Sequence, residues 1–405
     1  MNQFGARTNL LRARAGHSRV TFVELFFDLV FVFAITQLSH RLLEHFDPLG
    51  LVQTALLVMA VWWLWIYTAW ATNWLNPQTT PVRIMLFAQM LAGLVLSTSI
   101  PLAFESRGLA FALAYVAIHV GRSLFTLWSL RHHDAANFRN FQRITAWLAS
   151  AAVLWIAGGL AQDGTRLALW GIALAIEYAG PAAGYWTPRL GRSTTTDWNI
   201  EGSHMAERAG LFIIIALGES VLVTGATFSK MAWTPMTAAA FVVAFVGTVA
   251  MWWIYFNIGA ERGSEVIAHS ADPGRLGRLA YTYIHLPLVA GIIVSAASDE
   301  LVLAHPDGHM DFKTAAAVIA GPALFLLGNL LFKRTQIRRT GLSHMVGLGL
   351  LAALVPLAPF APPLVFAALA TLVLVIVAVW ETRSLRGPPS HIAHETLEAS
   401  RPHQP

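Results

Sequence analysis

The chain has 405 residues and a formal charge of +5; 56% of its residues are hydrophobic and only 12% are charged. A soluble protein carries about 25% charged residues, so in water this chain would be covered with apolar patches, whereas a bilayer favours such an exterior. The lack of cysteine excludes disulfides, thiolate metal sites, Cys nucleophiles and iron–sulfur clusters, and no Lys/Arg block is long enough for a nucleic-acid arm.

Residues 1–21 form a polar, Arg-bearing segment that resembles a signal-peptide n-region. The apolar stretch after it contains Glu24 and Asp28 and lacks a small-x-small cleavage site, so it reads as a retained first helix. A spanning helix needs about 20 mostly apolar residues. Twelve windows of that kind follow one another: about 22–42, 49–70, 82–101, 108–130, 143–161, 166–187, 205–228, 234–258, 276–297, 313–332, 343–359 and 362–381. Pro, Gly or charged residues bound most of them. Pro356, Pro359, Pro362 and Pro363 leave only a tight turn between the last two. Barrel strands would be shorter and would alternate in polarity, so the fold class is an all-α integral membrane protein.

Orientation follows from Lys and Arg. With the N-terminus inside, 21 of these residues fall on the inner side, Arg208 and Lys333 among them. Five fall outside: Arg41, Arg107, Arg166, Lys230 and Lys313. Arg122 is left within a helix. This asymmetry predicts an even helix count and an N-in, C-in topology in the bacterial cytoplasmic membrane. Trp70, Trp74, Tyr185, Trp186 and Trp233 near helix ends suit an interfacial belt.

A weak repeat runs through the chain. Trp62-Trp63-Leu64-Trp65-Ile66-Tyr67 of the second window is matched by Trp252-Trp253-Ile254-Tyr255 of the eighth. Two parallel six-helix halves are expected, 22–187 and 205–381, as in some transporters. A cytoplasmic linker at 188–204 would join them, and a polar tail at 382–405 would follow.

The stretch from Val20 to Gln37, with Glu24-Leu25-Phe26-Phe27-Asp28-Leu29 at its centre, resembles the opening of the bacterial low temperature requirement A family. So do His204-Met205-Ala206-Glu207-Arg208-Ala209-Gly210, running on to Glu219-Ser220, and the run Tyr283-Ile284-His285-Leu286-Pro287. The resemblance implies a polytopic bacterial membrane protein named for a growth requirement in the cold. It brings no catalytic mechanism and no ligand.

Ionisable residues inside a span cost at least about 2.5–3.5 kcal/mol on insertion scales and often serve function. The candidates for a substrate or ion pathway are Asp28, Gln37, His119, Arg122, Glu177, Glu219 and His285. Glu24, His204, Glu207 and Arg208 form a candidate polar cluster near the cytoplasmic face. On the seventh helix His204, Glu207, Arg208 and Glu219 fall within about 120° of one another, one polar stripe. Glu219 lies roughly 16 Å deeper than Arg208, where a carboxyl group that exchanges a proton would serve a proton-coupled carrier. Packing glue between helices is the plainer reading. Arg122 is expected to pair with Asp28 or Glu177. His285 precedes Pro287, whose missing N–H can open a kink.

His204-x-x-Glu207, with Glu24 and His285, offers a weak metal alternative; no cofactor is expected. His132-His133 and His391, His394 and His403 read as solvated. No nucleotide-binding, nucleophile-elbow or His-Glu-x-x-His motif is present. The expectation is therefore a secondary, proton- or ion-coupled transporter of a small or amphiphilic molecule, with its ligand between the halves near helices 1, 4, 7 and 9. One alternative is an intramembrane enzyme acting on a lipid or other apolar substrate, in which His204, Glu207 and His285 converge. Another is a membrane sensor or assembly factor for growth in the cold. Membrane lipid and a small-molecule substrate are the expected partners, and nucleic acid is not.

Overall fold

The computed structural model describes residues 10–12, 19–194, 201–257, 273–337 and 341–385. The three tail histidines and much of the tail lie outside these. Twelve helices occupy the twelve expected windows. They are α1 (Phe22–Glu44), α2 (Pro48–Trp74), α3 (Thr80–Ser99), α4 (Gly108–Leu130), α5 (Ala135–Leu160) and α6 (Asp163–Ala182). The second set is α7 (Gly202–Phe228), α8 (Pro235–Phe256), α9 (His285–Ala304), α10 (Phe312–Ile337), α11 (Leu342–Leu354) and α12 (Pro363–Leu385). Among the described residues, eleven helical segments are long and apolar enough to cross a membrane; α6, with Asp163, Arg166 and Glu177, is not among them.

Local chemistry accounts for the ends that differ from expectation. α5 starts at Ala135 rather than 143 because Asp134 caps it, accepting the Asn137 N–H at 3.0 Å. α6 stops at Ala182 because Gly184 takes a left-handed conformation (φ +61°) and Tyr185 N–H returns to the Gly180 carbonyl. α11 tightens into a 3-10 turn, Val355–Phe360, where Pro356 and Pro359 cannot continue an α-helix. A π-helical turn, Arg278–Ile284, leads into α9.

Numbering offsets between bonded partners give helix directions. A constant difference along two helices means they run parallel. α1 and α7 are bonded at offsets of 180, 180 and 183. α2 is bonded to α6 and the turn after it at 119 and 118, and α8 meets α12 at Gly247–Thr371 and Trp253–Thr382, differences of 124 and 129. These pairs are parallel neighbours. α1 also packs on α2 and α3, and α7 on α8 and α9.

The core is centred on α2. Trp62, Trp63 and Trp65 are at most 2% exposed. Trp70, Trp74 and Tyr185 are buried as well, which corrects their placing in an interfacial belt. They lie where α2 is enclosed by protein rather than lipid; only Trp186 and Trp233 are exposed. Trp252 and Trp253 are also exposed, so the Trp motifs of α2 and α8 meet different surroundings.

Candidate functional site: the seam between the first and seventh helices

Glu24 is the third residue of α1. Thr21 donates its backbone N–H and its hydroxyl to Glu24 Oε2, both at 2.9 Å, which ties the carboxylate to the helix start. The other oxygen faces α7: His204 Nε2 lies 2.9 Å from Glu24 Oε1. Asn73 Nδ2 approaches His204 Nδ1 at 3.2 Å. An amide nitrogen only donates, so Nδ1 accepts and Nε2 is left to donate to Glu24, although the Arg12 guanidinium also lies 3.2 Å from Nε2. Arg12 adds a cation, 3.3 Å from Glu24 Oε2.

One helical turn deeper, Arg208 donates to Asp28 Oδ1 at 2.7 Å, and Trp65 donates to the same oxygen at 2.8 Å. The Arg208 guanidinium also lies over the Trp65 ring and 3.7 Å from Glu24. Glu24, Asp28, His204 and Arg208 are all fully buried. Asp28 Oδ2 has no hydrogen-bond partner among the described residues. Deeper still, the Thr36 hydroxyl donates to Glu219. The seam thus has three rungs: Glu24–His204, Asp28–Arg208 and Thr36–Glu219. Gln37, half-buried on α1, joins none of them.

Three expectations need correction. Glu207 is exposed and accepts the Val20 N–H at 3.1 Å, so the polar stripe of α7 is His204, Arg208 and Glu219. The metal alternative does not assemble, because His204 turns to Glu24 while Glu207 turns to the surface. Among the described residues no three metal-ligating side chains converge. Arg122 contacts neither Asp28 nor Glu177. It donates to the Leu64 carbonyl (3.2 Å) and the Thr68 hydroxyl (2.8 Å), and lies 2.8 Å from His119 Nδ1. It faces α2 because α4 packs on α2, α3 and α5 rather than on α1.

Glu177 accepts from Tyr115 (2.5 Å) and Trp155 (3.0 Å), with His119 Nε2 at 4.0 Å. This group ties α4, α5 and α6 within the first half. His285 closes the π turn: its Nδ1 meets the Ala280 carbonyl at 2.8 Å, and its Nε2 meets the Tyr255 hydroxyl at 2.9 Å. A carbonyl only accepts, so the ring proton is on Nδ1. Trp62 donates to the Thr282 carbonyl at 2.7 Å, satisfying a group within the same widened turn.

The sequence reading missed two groups. Lys333 and Glu381 pair at 2.5 Å, with His344 3.3 Å from the carboxylate and 3.0 Å from Asn329. Lys333 reads as a loop charge only if α10 ends early, and it continues to Ile337. Asp299, just past the window ending at 297, lines a cavity with Ser295, Ser298 and Thr248. The cavity is about 30 Å³, room for one or two waters. A comparable cavity, between the first six helices and the π turn before α9, is bordered by Arg122 and Arg278. Asp28 and Glu219 line neither of these two cavities.

The family model described as bacterial low temperature requirement A protein matches residues 19–379. An uncharacterised protein of Rhizobium meliloti (strain 1021) is 42% identical over 379 residues, covering 93% of this chain and 92% of that protein. No solved structure matches. The chain is a multi-pass, all-helical membrane protein and belongs to the bacterial low temperature requirement A family.

Proposed function

We propose that this protein is a secondary, proton- or ion-coupled carrier of a small or amphiphilic molecule in the bacterial cytoplasmic membrane. The observation that carries the reading is the α1–α7 seam. Its ion pair Asp28–Arg208 and the hydrogen bond from His204 to the Glu24 carboxylate join the first six helices to the last six instead of locking helices within one set. A carrier with alternating access needs charges at the contact that opens and closes. Glu24–His204 and Asp28–Arg208 close the seam at the face where both helices begin. Thr36–Glu219 holds a carboxyl group deeper on the same line.

The same reading treats the two sets as parallel repeats with N-in, C-in orientation. Matching parallel neighbours support it: α2 with α6, and α8 with α12.

The test is proton movement in liposomes carrying the purified protein, screened against metabolites and amphiphiles. Solute-dependent proton flux is expected, and Glu219→Gln should abolish it while leaving the melting temperature close to the parent's. Absence of flux for every solute, in protein shown to be folded, would overturn the reading.

A further inference from the structure

Buried arginines in this protein mostly end on carbonyls or a carboxylate, and the donors that Arg41 (Nε) and Arg208 (Nε, Nη1) leave without a hydrogen-bond partner among the described residues are sealed off from any open space. Arg166 donates to the carbonyls of Ala103, Glu105, Gly158 and Ala161. Arg41 ends on the Pro101 carbonyl and Gln53, and Arg208 on Asp28.

Arg122 differs. It is 3% exposed, well inside α4, and its three bonds leave Nε–H and one Nη2–H without a partner among the described residues. It borders a small, partly open cavity of about 20 Å³, room for about one water. Arg278, half-buried, lines the same cavity and donates one bond, to the Pro181 carbonyl at 2.7 Å. No carboxylate is among the described lining residues. The nearby Glu177 is already held by Tyr115 and Trp155. The remaining walls are largely aromatic: Trp70, Trp74 and Tyr185, with Thr282 as a further polar group.

Two guanidiniums facing one space with no carboxylate among its described lining residues repel each other and bear a desolvation cost. An anion placed between them relieves both, through the forked N–H geometry that suits carboxylate and phosphate. We infer that this cavity binds the anionic group, carboxylate or phosphate, of a molecule whose apolar body lies against Trp70 and Trp74. In the state seen here the narrow space takes an anionic head, with the body toward the open side. The inference does not depend on the carrier reading, because binding is measured without flux.

The test uses the full-length protein in neutral detergent, with tryptophan fluorescence as readout, since two tryptophans form the wall. Benzoate and inorganic phosphate are the soluble probes, and benzamide is the uncharged counterpart of benzoate. A parallel arm compares nanodiscs of phosphatidylcholine with and without phosphatidylglycerol, to separate a soluble anion from a lipid headgroup. Saturable change with benzoate but not benzamide is expected, or with phosphatidylglycerol alone if the anion is a lipid's. Arg278→Gln, on a half-buried residue, should weaken binding at least about tenfold. Arg122→Gln should do the same in preparations whose melting matches the parent. Equal response to benzamide, unchanged affinity in both folded variants, or no response to any anion in either arm would overturn the inference.

Discussion

Asp28→Asn is the sharpest perturbation of the seam. The native carboxylate is fully buried and holds Arg208 at 2.7 Å and Trp65 at 2.8 Å. Asparagine can still accept from Trp65 but removes the charge opposite Arg208. Glu24, the remaining carboxylate, is 3.7 Å away and is already shared with His204 and Arg12. Breaking one side of a buried pair costs about 3–5 kcal/mol in soluble proteins. Polar contacts in membrane helices average nearer ~0.6 kcal/mol, because the unfolded chain also finds partners in the bilayer. Residual attraction to Glu24 lowers the cost further, so a loss of about 2 kcal/mol is expected. Replacing both partners, Asp28→Leu with Arg208→Met, should cost less than the sum of the single changes, with a coupling of about 1–2 kcal/mol. Titration with sodium dodecyl sulfate, followed by tryptophan fluorescence, measures all three variants, with Glu207→Gln as the exposed control. A change within about 0.5 kcal/mol for Asp28→Asn, or strict additivity in the double variant, would refute the claim that this pair joins α1 to α7.

Glycine sets the approach of α9 to α10: a Cβ at Gly291 would meet Phe325 N at 2.6 Å and the Gly321 carbonyl at 2.8 Å. Gly291→Ala should therefore lower stability by about 1–3 kcal/mol, whereas Gly218→Ala, which faces open space, should be neutral or slightly stabilising in the same denaturation assay. Asp311 precedes α10 and accepts the Thr314 N–H at 2.6 Å. Burial pushes its carboxyl up, but the Thr314 bonds and the Lys313 charge outweigh this and hold it below the usual 3.8. A depressed folded value stabilises above the unfolded one and is lost as pH falls through it, so Asp311→Ala should cost about 1 kcal/mol at pH 7 and progressively less below about pH 4. The cysteine-free chain suits single-cysteine labelling. Gln162→Cys and Arg189→Cys, at opposite ends of α6, should react from opposite sides of the membrane, and labelling of both from one side would contradict a crossing.

Much of the fold was legible because each span must hide its backbone from lipid within its own residues. Length, apolarity and end residues are then local properties, and twelve windows give twelve helices. What surrounds a span is not local. α2 is apolar on all sides, a pattern that suits lipid and protein surroundings equally. Its tryptophans near the end therefore resembled an interfacial belt until packing enclosed them. Lys/Arg counting met the same limit. Arg41, Arg166, Arg208 and Lys333 enter the loop tally, yet all are buried on carbonyls or carboxylates.

The site was legible in its members and not in its pairings, for a geometric reason. Arg122 and Arg208 lie at similar depths, so depth alone cannot decide which meets Asp28. Azimuth decides, and azimuth depends on which helices touch. A signal was nonetheless present. Glu24/Asp28 and His204/Arg208 have the same four-residue spacing near the starts of their helices, so each acid meets a base at an offset of 180. Such rungs form only between parallel helices. An odd number of crossings from α1 to α7 would put the start of one against the end of the other, about 30 Å away. Five of the six helices from α1 to α6 qualify as spans on their own. The rungs require α6 to cross as well, with Arg166 and Glu177 tolerated because carbonyls, Tyr115 and Trp155 satisfy them inside the protein.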